Sequence, residues 1–325
     1  MTADRLRLEA HTPDFAPRWD AFVRASKNGA LLFERGFMDY HADRFEDASL
    51  VAFQGPGRDN PVALLPACRL RADGEDQVVS HAGLTFGGWI TDGRMTAAWM
   101  LRLFEMLRER LADEGVSRLR YKAAPSCYHR EPAEEDLYAL FRCGARLVRS
   151  DLGSVVDLGR PANWSKSKRQ GLTKARAAGV TVARSGDLAA FHALLAEVLA
   201  RHGAQPTHSV AELRLLAGRF PDRIALFAAH APDATPLAYV LVFDSGETVH
   251  TQYMASNAEG RTCGALDAIV AHLQHVAYAD RRRLSFGIST EDGGRRLNEG
   301  LAAQKEMFGA RAVVFPCYEL EIPPR

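Results

Sequence analysis

The 325-residue chain is longer than one hydrophobic core usually serves, so two domains of about 150 residues each are expected. Its composition, 47% hydrophobic and 25% charged without a biased tract, is typical of packed globular proteins and excludes disordered and fibrous classes. The formal net charge of +1 provides no overall field that would draw the chain to DNA or to an anionic membrane. Any site for a polyanion therefore has to be local.

The N-terminal segment MTADRLRLEAHTPDF lacks the basic and then apolar order of a signal peptide. No uncharged apolar run approaches the ~20 residues of a membrane span, so a cytoplasmic protein is expected. The five cysteines are odd in number and contain no C-x-x-C pair, which indicates reduced thiols and no structural zinc. His272 and His275 are one helical turn apart, but no third ligand is within reach in the sequence, so no metal is expected.

In chain order, the first half opens with three predicted strands, which are LVAFQ, NPVALLPACRLR and QVVSHAGLTFGGWI. The helix MTAAWMLRLFEMLRERLADEG follows, and then the strand SRLRYKA, the helix PAEEDLYALFRCG and the strand ARLVRSDLGSVVDL. The next segment, GRPANWSKSKRQGLTKARAAG, is basic and is predicted to be a helical linker after Asn163. At 3.6 residues per turn its cations surround the helix and do not form one stripe.

The second half begins with the strand GVTVARS and a helix for which Asp187 is the expected N-cap and Gly203 the end. Ser209 and Glu212 have capping-box spacing at the start of a second helix. Three strands follow, RIALFAAHA, PLAYVLVFDSG and ETVHTQYMAS, and then the predicted loop NAEGRTCGA. The helix LDAIVAHLQHVAYADR, the strand RLSFGIS, the helix RRLNEGLAAQKEMF and the strand ARAVVFPCYELEI complete the order, which predicts an α/β fold with a mixed sheet.

The two halves have the same order of elements at a constant offset. Leu119 matches Leu284, and Gly144 matches Gly309, each at a distance of 165 residues (284 − 119 and 309 − 144). This repeat predicts a tandem duplication, with one domain over 1–159, a basic linker helix over 160–178 and a second domain over 179–325.

The segment EGRTCGALDAIVAHL resembles the phosphate loop of GNAT acyltransferases, usually written R/Q-x-x-G-x-G/A. The physics is consistent, because glycine permits close backbone approach and a helix N-terminus attracts a pyrophosphate. The resemblance implies acyl-CoA as a co-substrate and no permanently bound cofactor. It also implies a set of donor-binding residues, in which Lys305 stands where the family often has a tyrosine. These residues are Arg261, Thr262, Gly264, Ala265, Asn298 and Lys305.

Over nearly its whole length, the chain resembles a bacterial subgroup of Fem-like tandem GNAT proteins associated with polysaccharide and cell-envelope biosynthesis. The resemblance rests on the segments SHAGLTFGGWI, YKAAPSCYHREPAEEDLYALF, VHTQYMAS and GISTEDGGRRLNEGLAAQKEMFGA. The resemblance implies transfer of an acyl group to an amino group of a sugar-like or amino-acid-like acceptor. An aminoacyl-tRNA-dependent transferase and a non-catalytic binding module with a degenerate acyl site remain alternatives. The sequence leaves the acceptor, the acyl length and the oligomeric state open.

Four residues are candidates for proton transfer or for contact with the reacting group. Strand alternation places His250 and Gln252 on one face of VHTQYM, where two polar side chains would be unusual in a plain core. Glu291 ends a strand and is expected to act as a general base with a pKa raised by partial burial, or alternatively to cap the next helix. His208 follows a proline–threonine turn and is either an acid–base group or a surface histidine.

The predicted substrate-binding residues come from both halves. If the two domains face each other, His81, Tyr128 and His129 are expected to line the acceptor channel. The second half contributes Tyr253, Ser289 and Thr290.

Overall fold

The structure, a computed structural model, describes residues 6–72 and 75–324 and is an α/β fold with mixed sheets. Its strands are β1 (Leu6–Ala10), β2 (Glu46–Asp47), β3 (Leu50–Gln54), β4 (Pro61–Leu65), β5 (Cys68–Ala72), β6 (Glu75–Val79), β7 (Ile90–Thr91), β8 (Arg118–Lys122), β9 (Arg146–Asp157), β10 (Thr181–Ser185), β11 (Ile224–His230), β12 (Pro236–Asp244), β13 (Thr248–Ser256), β14 (Arg283–Ile288), β15 (Thr290–Glu291), β16 (Arg296–Leu297) and β17 (Arg311–Glu321). Its α-helices are α1 (Ala16–Ala25), α2 (Arg35–Met38), α3 (Ala97–Asp113), α4 (Glu135–Arg142), α5 (Lys166–Ala177), α6 (Leu188–Ala200), α7 (Val210–Arg219), α8 (Ala258–Cys263), α9 (Ala265–His272) and α10 (Glu299–Glu306). A π-helical turn, Leu273–Ala277, continues α9.

The chain divides into two compact units that do not follow the linear boundaries expected from the sequence. The first unit runs to Asp151 and also includes Glu291–Arg296 and the residues from Val314 onward. The second unit contains Leu152–Thr290 and Leu297–Val313. The strands β9 and β17 each begin in one unit and end in the other, which explains why no single cut separates the halves.

Strand pairing shows how the repeats exchange their last strands. In the first unit, Leu119 of β8 is opposite Leu320 of β17. In the second unit, Leu284 of β14 is opposite Val156 of β9. The two leucines at the predicted offset thus have equivalent positions, but each pairs with the final strand of the other repeat.

The first unit contains an antiparallel sheet of order β1-β3-β4-β7 and a second run of neighbours of order β2-β5-β6-β8-β17. Its core lies between these strands and α3, which buries Leu103, Phe104 and Leu107. The predicted strand QVVSHAGLTFGGWI is in fact two strands joined by a loop, because β6 ends at Val79 and β7 begins at Ile90.

The second unit is an antiparallel meander of β10, β11, β12 and β13, followed by β14, which runs parallel to β13. The predicted linker helix is α5, and it is part of this unit because Ala175 is buried and Lys168 pairs with Asp267 of α9. The predicted loop NAEGRTCGA is largely a short helix, α8, capped by Asn257, whose side chain accepts from the Gly260 N–H at 2.7 Å.

The predicted helix starts at Asp187 and Ser209 are confirmed. Asp187 accepts from the Ala190 N–H at 2.9 Å, and Ser209 and Glu212 form a complete capping box. The last helix, α10, begins later than predicted, because Arg296–Leu297 forms the strand β16 against β15. Among the described residues, none of the helices combines the length and the apolar character needed to cross a membrane.

Candidate functional site

The site begins where the parallel strands β13 and β14 separate. Their pairing joins Thr248–His250 to Arg283–Ser285. Among the described residues the pairing extends no further, although β13 continues to Ser256. The strand ends beyond this point leave a wedge-shaped opening, which we call the wedge.

A β-bulge turns β13 at the same level. Leu241 of β12 is opposite Tyr253, whereas the next residue, Val242, is opposite Thr251. Gln252 is therefore the extra residue, and the strict alternation expected for this strand is interrupted there. Bulges re-aim side chains and leave a backbone group out of the ladder, so β13 can offer an N–H group to a ligand.

His250 lies between the two strands at the wedge. Its Nδ1 is 3.2 Å from the Ser285 hydroxyl, and a Cβ at Gly287 would lie 3.0 Å from its Cε1 atom. Burial, with a smaller contribution from the charge of Lys305, lowers the pKa of His250 to about 4. The imidazole is therefore neutral at pH 7.

Lys305 reaches the wedge from α10 and is only 8% exposed. Its ammonium donates to the carbonyl oxygens of Ile288 at 2.6 Å and Gly287 at 3.1 Å. Burial lowers the pKa of Lys305 to about 8. An ammonium has three N–H donors, and two of them donate to these two carbonyls. The third can donate to a group in the wedge.

A cavity of about 460 Å³ adjoins Lys305 within the second unit. Its walls come from α5, α6, β13, α8, α9, β14 and α10, and combine apolar surface with four lysine or arginine side chains and one carboxylate. The apolar lining includes Val198, Met254, Leu266, Phe286, Leu301 and Phe308. The charged lining consists of Lys168, Arg201, Arg261, Lys305 and Asp267. The apolar part of this lining suits the apolar arm of a ligand.

The expected phosphate loop has a glycine, Gly264, at the predicted position, but the group that closely approaches this glycine is the protein backbone of α5. Gly264 has φ +81° and joins α8 to α9. A Cβ at this position would lie 2.3 Å from the carbonyl oxygen of Gly171 in α5. Of the other predicted donor-binding residues, Ala265 is buried and the Thr262 hydroxyl donates to the Ala258 carbonyl at 3.1 Å.

Arg261 and Asn298 have local roles in addition to any ligand contact. Arg261 lines the cavity and donates to the Ser256 carbonyl at 2.8 Å. Asn298 is the N-cap of α10 and accepts from the Leu301 N–H at 3.0 Å.

His208 and Tyr253 are brought together, with Nδ1 of His208 2.8 Å from the Tyr253 hydroxyl. Tyr253 also contacts the ring of Phe191 in α6, so the pair lies on the α6 side of β13. Neither residue belongs to the described lining of the cavity.

The three consecutive residues predicted after β14 have different surroundings. Ser289 is 2% exposed, and its hydroxyl has no hydrogen-bond partner among the described residues. The Thr290 hydroxyl accepts from the Leu152 N–H at 3.3 Å. Glu291 belongs to the first unit and forms an ion pair with Arg296, with 40% of its side chain exposed.

His81, Tyr128 and His129 lie in the first unit. His81 is stacked near His41, with ring centroids 5.5 Å apart, and burial lowers its pKa to about 3. Tyr128 packs against Phe86, and Nε2 of His129 is 3.2 Å from the Ala124 carbonyl oxygen.

The sequence reasoning did not single out Asp267 or the individual role of Lys168. Lys168 donates to Asp267 Oδ1 at 2.8 Å and lies 4.4 Å from the ring centroid of Phe308. A signal existed, since an acidic residue within the first turn of a helix stabilises the helix dipole. The sequence pattern did not distinguish Lys168 from the other basic residues of α5, although Lys168 is the one that faces inward.

The order of strands, the wedge and the bulged strand define a tandem GNAT fold. Solved structures with the same fold include FemX (12% identity over 97% of each chain, TM-score 0.71) and L-PGS from Bacillus licheniformis (14% identity, 98% of this chain and 94% of the other, TM-score 0.60). A tandem GNAT protein from the clavulanic acid biosynthesis pathway covers 99% of this chain and 100% of its own at 12% identity and TM-score 0.53.

The sequence supports the same conclusion for the second half. Residues 162–293 match the family described as acetyltransferase (GNAT) domain. The chain thus has a Fem-like tandem GNAT fold, within which residues 162–293 match the GNAT acetyltransferase family. The comparison with curated proteins found no match.

Proposed function

We propose that this protein is an N-acyltransferase that moves an acyl group from an activated donor to an amino group at the wedge of the second unit. The observation that carries the proposal is the Lys305 ammonium, held at the end of β14 by two carbonyl groups beside the cavity. The family match over residues 162–293 supports the reaction class.

The proposed reaction is a direct attack. The neutral amine forms a C–N bond to the acyl carbon, and a backbone N–H of the bulged strand β13 stabilises the developing oxyanion. When the bond from the acyl carbon to the leaving sulfur or oxygen breaks, the Lys305 ammonium donates a proton to that atom. Lys305 thus takes the role that the expected tyrosine has in related proteins.

The proton released by the attacking nitrogen needs an acceptor. Of the residues predicted for this role, His250 lies at the wedge and is neutral at pH 7, so it is the first choice. Its low pKa makes it a weak base, and water is the next acceptor in line. Glu291 belongs to the first unit and His208 pairs with Tyr253 on the α6 side of β13, so both are secondary choices.

Acyl-CoA is the donor implied by the GNAT resemblance, and the description of one similar structure mentions AcCoA. Calorimetry with acetyl-CoA and longer acyl homologues tests this directly. Saturable binding that Leu301→Trp, a cavity-blocking change, abolishes supports the proposal. Absence of binding at millimolar ligand contradicts a CoA thioester donor and favours the second candidate below or a non-catalytic module.

The second candidate is transfer from an aminoacyl-tRNA, and the surface of α5 favours it. Its cations Lys166, Arg169, Lys174 and Arg176 are exposed, while Lys168 faces inward to Asp267. Exposed cations on a helix that contributes Lys168 to the cavity suit contact with an RNA backbone. Activity that persists after ribonuclease treatment and without charged tRNA would exclude this donor.

For the acceptor, we propose an amine on a sugar-like or amino-acid-like molecule of envelope polysaccharide synthesis in the cytoplasm, as the Fem-like resemblance implies. Substrate trials with amino sugars and amino acids under a fixed donor test this part. Turnover with neither group of amines would contradict it.

A further inference from the structure

The N-terminus of α9 is the place where a GNAT domain would hold the pyrophosphate of a CoA donor. Here the backbone of Gly171 and the side chains of Asp267 and Lys168 lie at this position. Gly264 approaches the Gly171 carbonyl so closely that a Cβ would lie 2.3 Å from it. A Cβ at Gly171 would in turn lie 1.8 Å from Oδ2 of Asp267. The glycines at this junction therefore serve the packing of α5 on α9.

Asp267 supplies the negative charge that the helix terminus would otherwise take from a ligand. It is the third residue of α9, where a carboxylate is favoured by the helix dipole. Its side chain is 10% exposed and pairs with Lys168 at 2.8 Å. A phosphate arriving here would have to displace or approach a buried carboxylate, which is unfavourable for two like charges.

The helix α5, which packs over the N-terminus of α9, is held in place by contacts at its own start. The Ser165 N–H donates to the Met307 carbonyl at 2.8 Å, and Trp164 Nε1 donates to Gln274 Oε1 at 2.8 Å. The Lys168 ammonium also contacts the face of Phe308. These contacts attach α5 to both α9 and α10, so a pyrophosphate would have to break several interactions to enter.

We infer that the Asp267–Lys168 pair sets donor specificity. The cavity recognises the acyl group and the thioester arm of the donor, and the N-terminus of α9 does not bind the pyrophosphate of CoA. The inference rests on the proposed function, since it concerns the donor of that same site. The apolar walls Met254, Phe286 and Phe308 would hold the arm, with the acyl carbon at Lys305.

The test compares two probes on the full chain by calorimetry. S-acetylpantetheine has the thioester arm of acetyl-CoA but no pyrophosphate. The expected result is that wild-type Kd values for the two compounds agree within about threefold. A preference for acetyl-CoA of about 100-fold would overturn the inference while leaving the proposed function intact. Binding of neither compound would contradict both the inference and a CoA thioester donor.

The Asp267→Asn variant sharpens the comparison. It keeps the side-chain volume and removes the competing charge, so acetyl-CoA should bind about tenfold more tightly while S-acetylpantetheine changes by less than about threefold. Asp244→Asn is the matched control, because Asp244 is also buried and ion-paired, at 2.9 Å from Arg281, but does not line the cavity. Equal strengthening in both variants, or none in Asp267→Asn, would contradict the role of Asp267. The wild-type comparison holds even if a variant fails to fold.

Discussion

Each unit of the chain contains a parallel strand pair with a desolvated lysine at its end. In the first unit, β6 pairs with β8, and Lys122 is the last residue of β8. In the second unit, β13 pairs with β14, and the side chain of Lys305 extends from α10 to the end of β14. Burial lowers the pKa of both lysines to about 8. The two amines thus have similarly lowered pKa values, although Lys122 lies on a strand and Lys305 on a helix.

The surroundings of the two lysines differ. In the first unit the chain after β6 folds back, so that Lys122 donates to the carbonyls of Ala82 and Leu84 and the Gly87 N–H donates to the Lys122 carbonyl. In the second unit β13 bulges at Gln252, and Lys305 borders a cavity. A lowered pKa alone therefore does not identify a catalytic lysine, because adjacent space for a substrate is also required.

The largest expected effect comes from removing each lysine in turn. Lys305→Met should lower kcat by about 100-fold to 1,000-fold, within the range for loss of a general acid. Lys122→Met should change kcat by less than about threefold but lower the free energy of unfolding by about 1–3 kcal/mol, since two carbonyls lose their donor. Steady-state kinetics and denaturant unfolding of both variants check this. Equal losses of kcat would break the distinction between the two units.

The pH dependence of turnover should follow Lys305. Its ammonium is the donor and neutral His250, with a pKa of about 4, is the first-choice acceptor. At saturating substrates kcat should therefore be level between about pH 5 and pH 8, and fall about tenfold per pH unit above the Lys305 pKa of about 8. Lys305→Arg retains the charge to much higher pH, so its profile should lose this fall even if kcat is lower. A wild-type profile that rises through pH 8 would show that Lys305 works as a base.

The first unit should show its own pH response in stability. Asp136 accepts a hydrogen bond from the Tyr121 hydroxyl at 2.6 Å, and burial raises its pKa to about 6. Because the folded pKa exceeds the ordinary pKa of an aspartate, its stabilising contribution is present below about pH 4 and is lost as pH rises through 6. Relative to Asp136→Asn, wild type should lose roughly 3 kcal/mol of unfolding free energy between pH 4 and pH 7.5. Denaturant unfolding at both pH values measures it, and parallel pH profiles would refute it.

The smallest expected effect concerns helix starts in the two units. Ser209→Ala breaks the capping box of α7 and should cost about 1 kcal/mol. Thr96→Ala removes one side-chain cap from α3, where Thr96 accepts from the Trp99 N–H at 3.2 Å, and should cost less. Thermal or denaturant unfolding of the pair checks the order, and a larger loss for Thr96→Ala would reverse it.

Much of the fold could be predicted from local signals. The glycines Gly144 and Gly309, matched by the repeat, both have positive φ values, +77° and +86°, at the same turn. Caps and hydrophobic runs located most elements. The exchange of β9 and β17 could not be predicted, because either final strand satisfies the same hydrophobic pattern in either unit.

The site was predicted only in part, for a related reason. Residue type and strand position pointed to His250 and Gln252 as candidates, and the GNAT resemblance pointed to Lys305 and Gly264. The neighbours of Gly264 depend on the path of α5, more than 90 residues earlier in the chain. A periodicity argument treats Lys168 like the other cations of that helix, whereas packing buries it beside Asp267.

The exchanged strand β17 has a consequence for the order in which the protein folds during synthesis. Tyr318 is opposite Tyr121 in the first unit, and these residues are made almost 200 codons apart. The ribosome therefore releases the last strand of the first unit only after all of the second unit has been made. Until then the edge of β8 is unpaired, and a nascent chain at this stage is the form that a chaperone would need to protect.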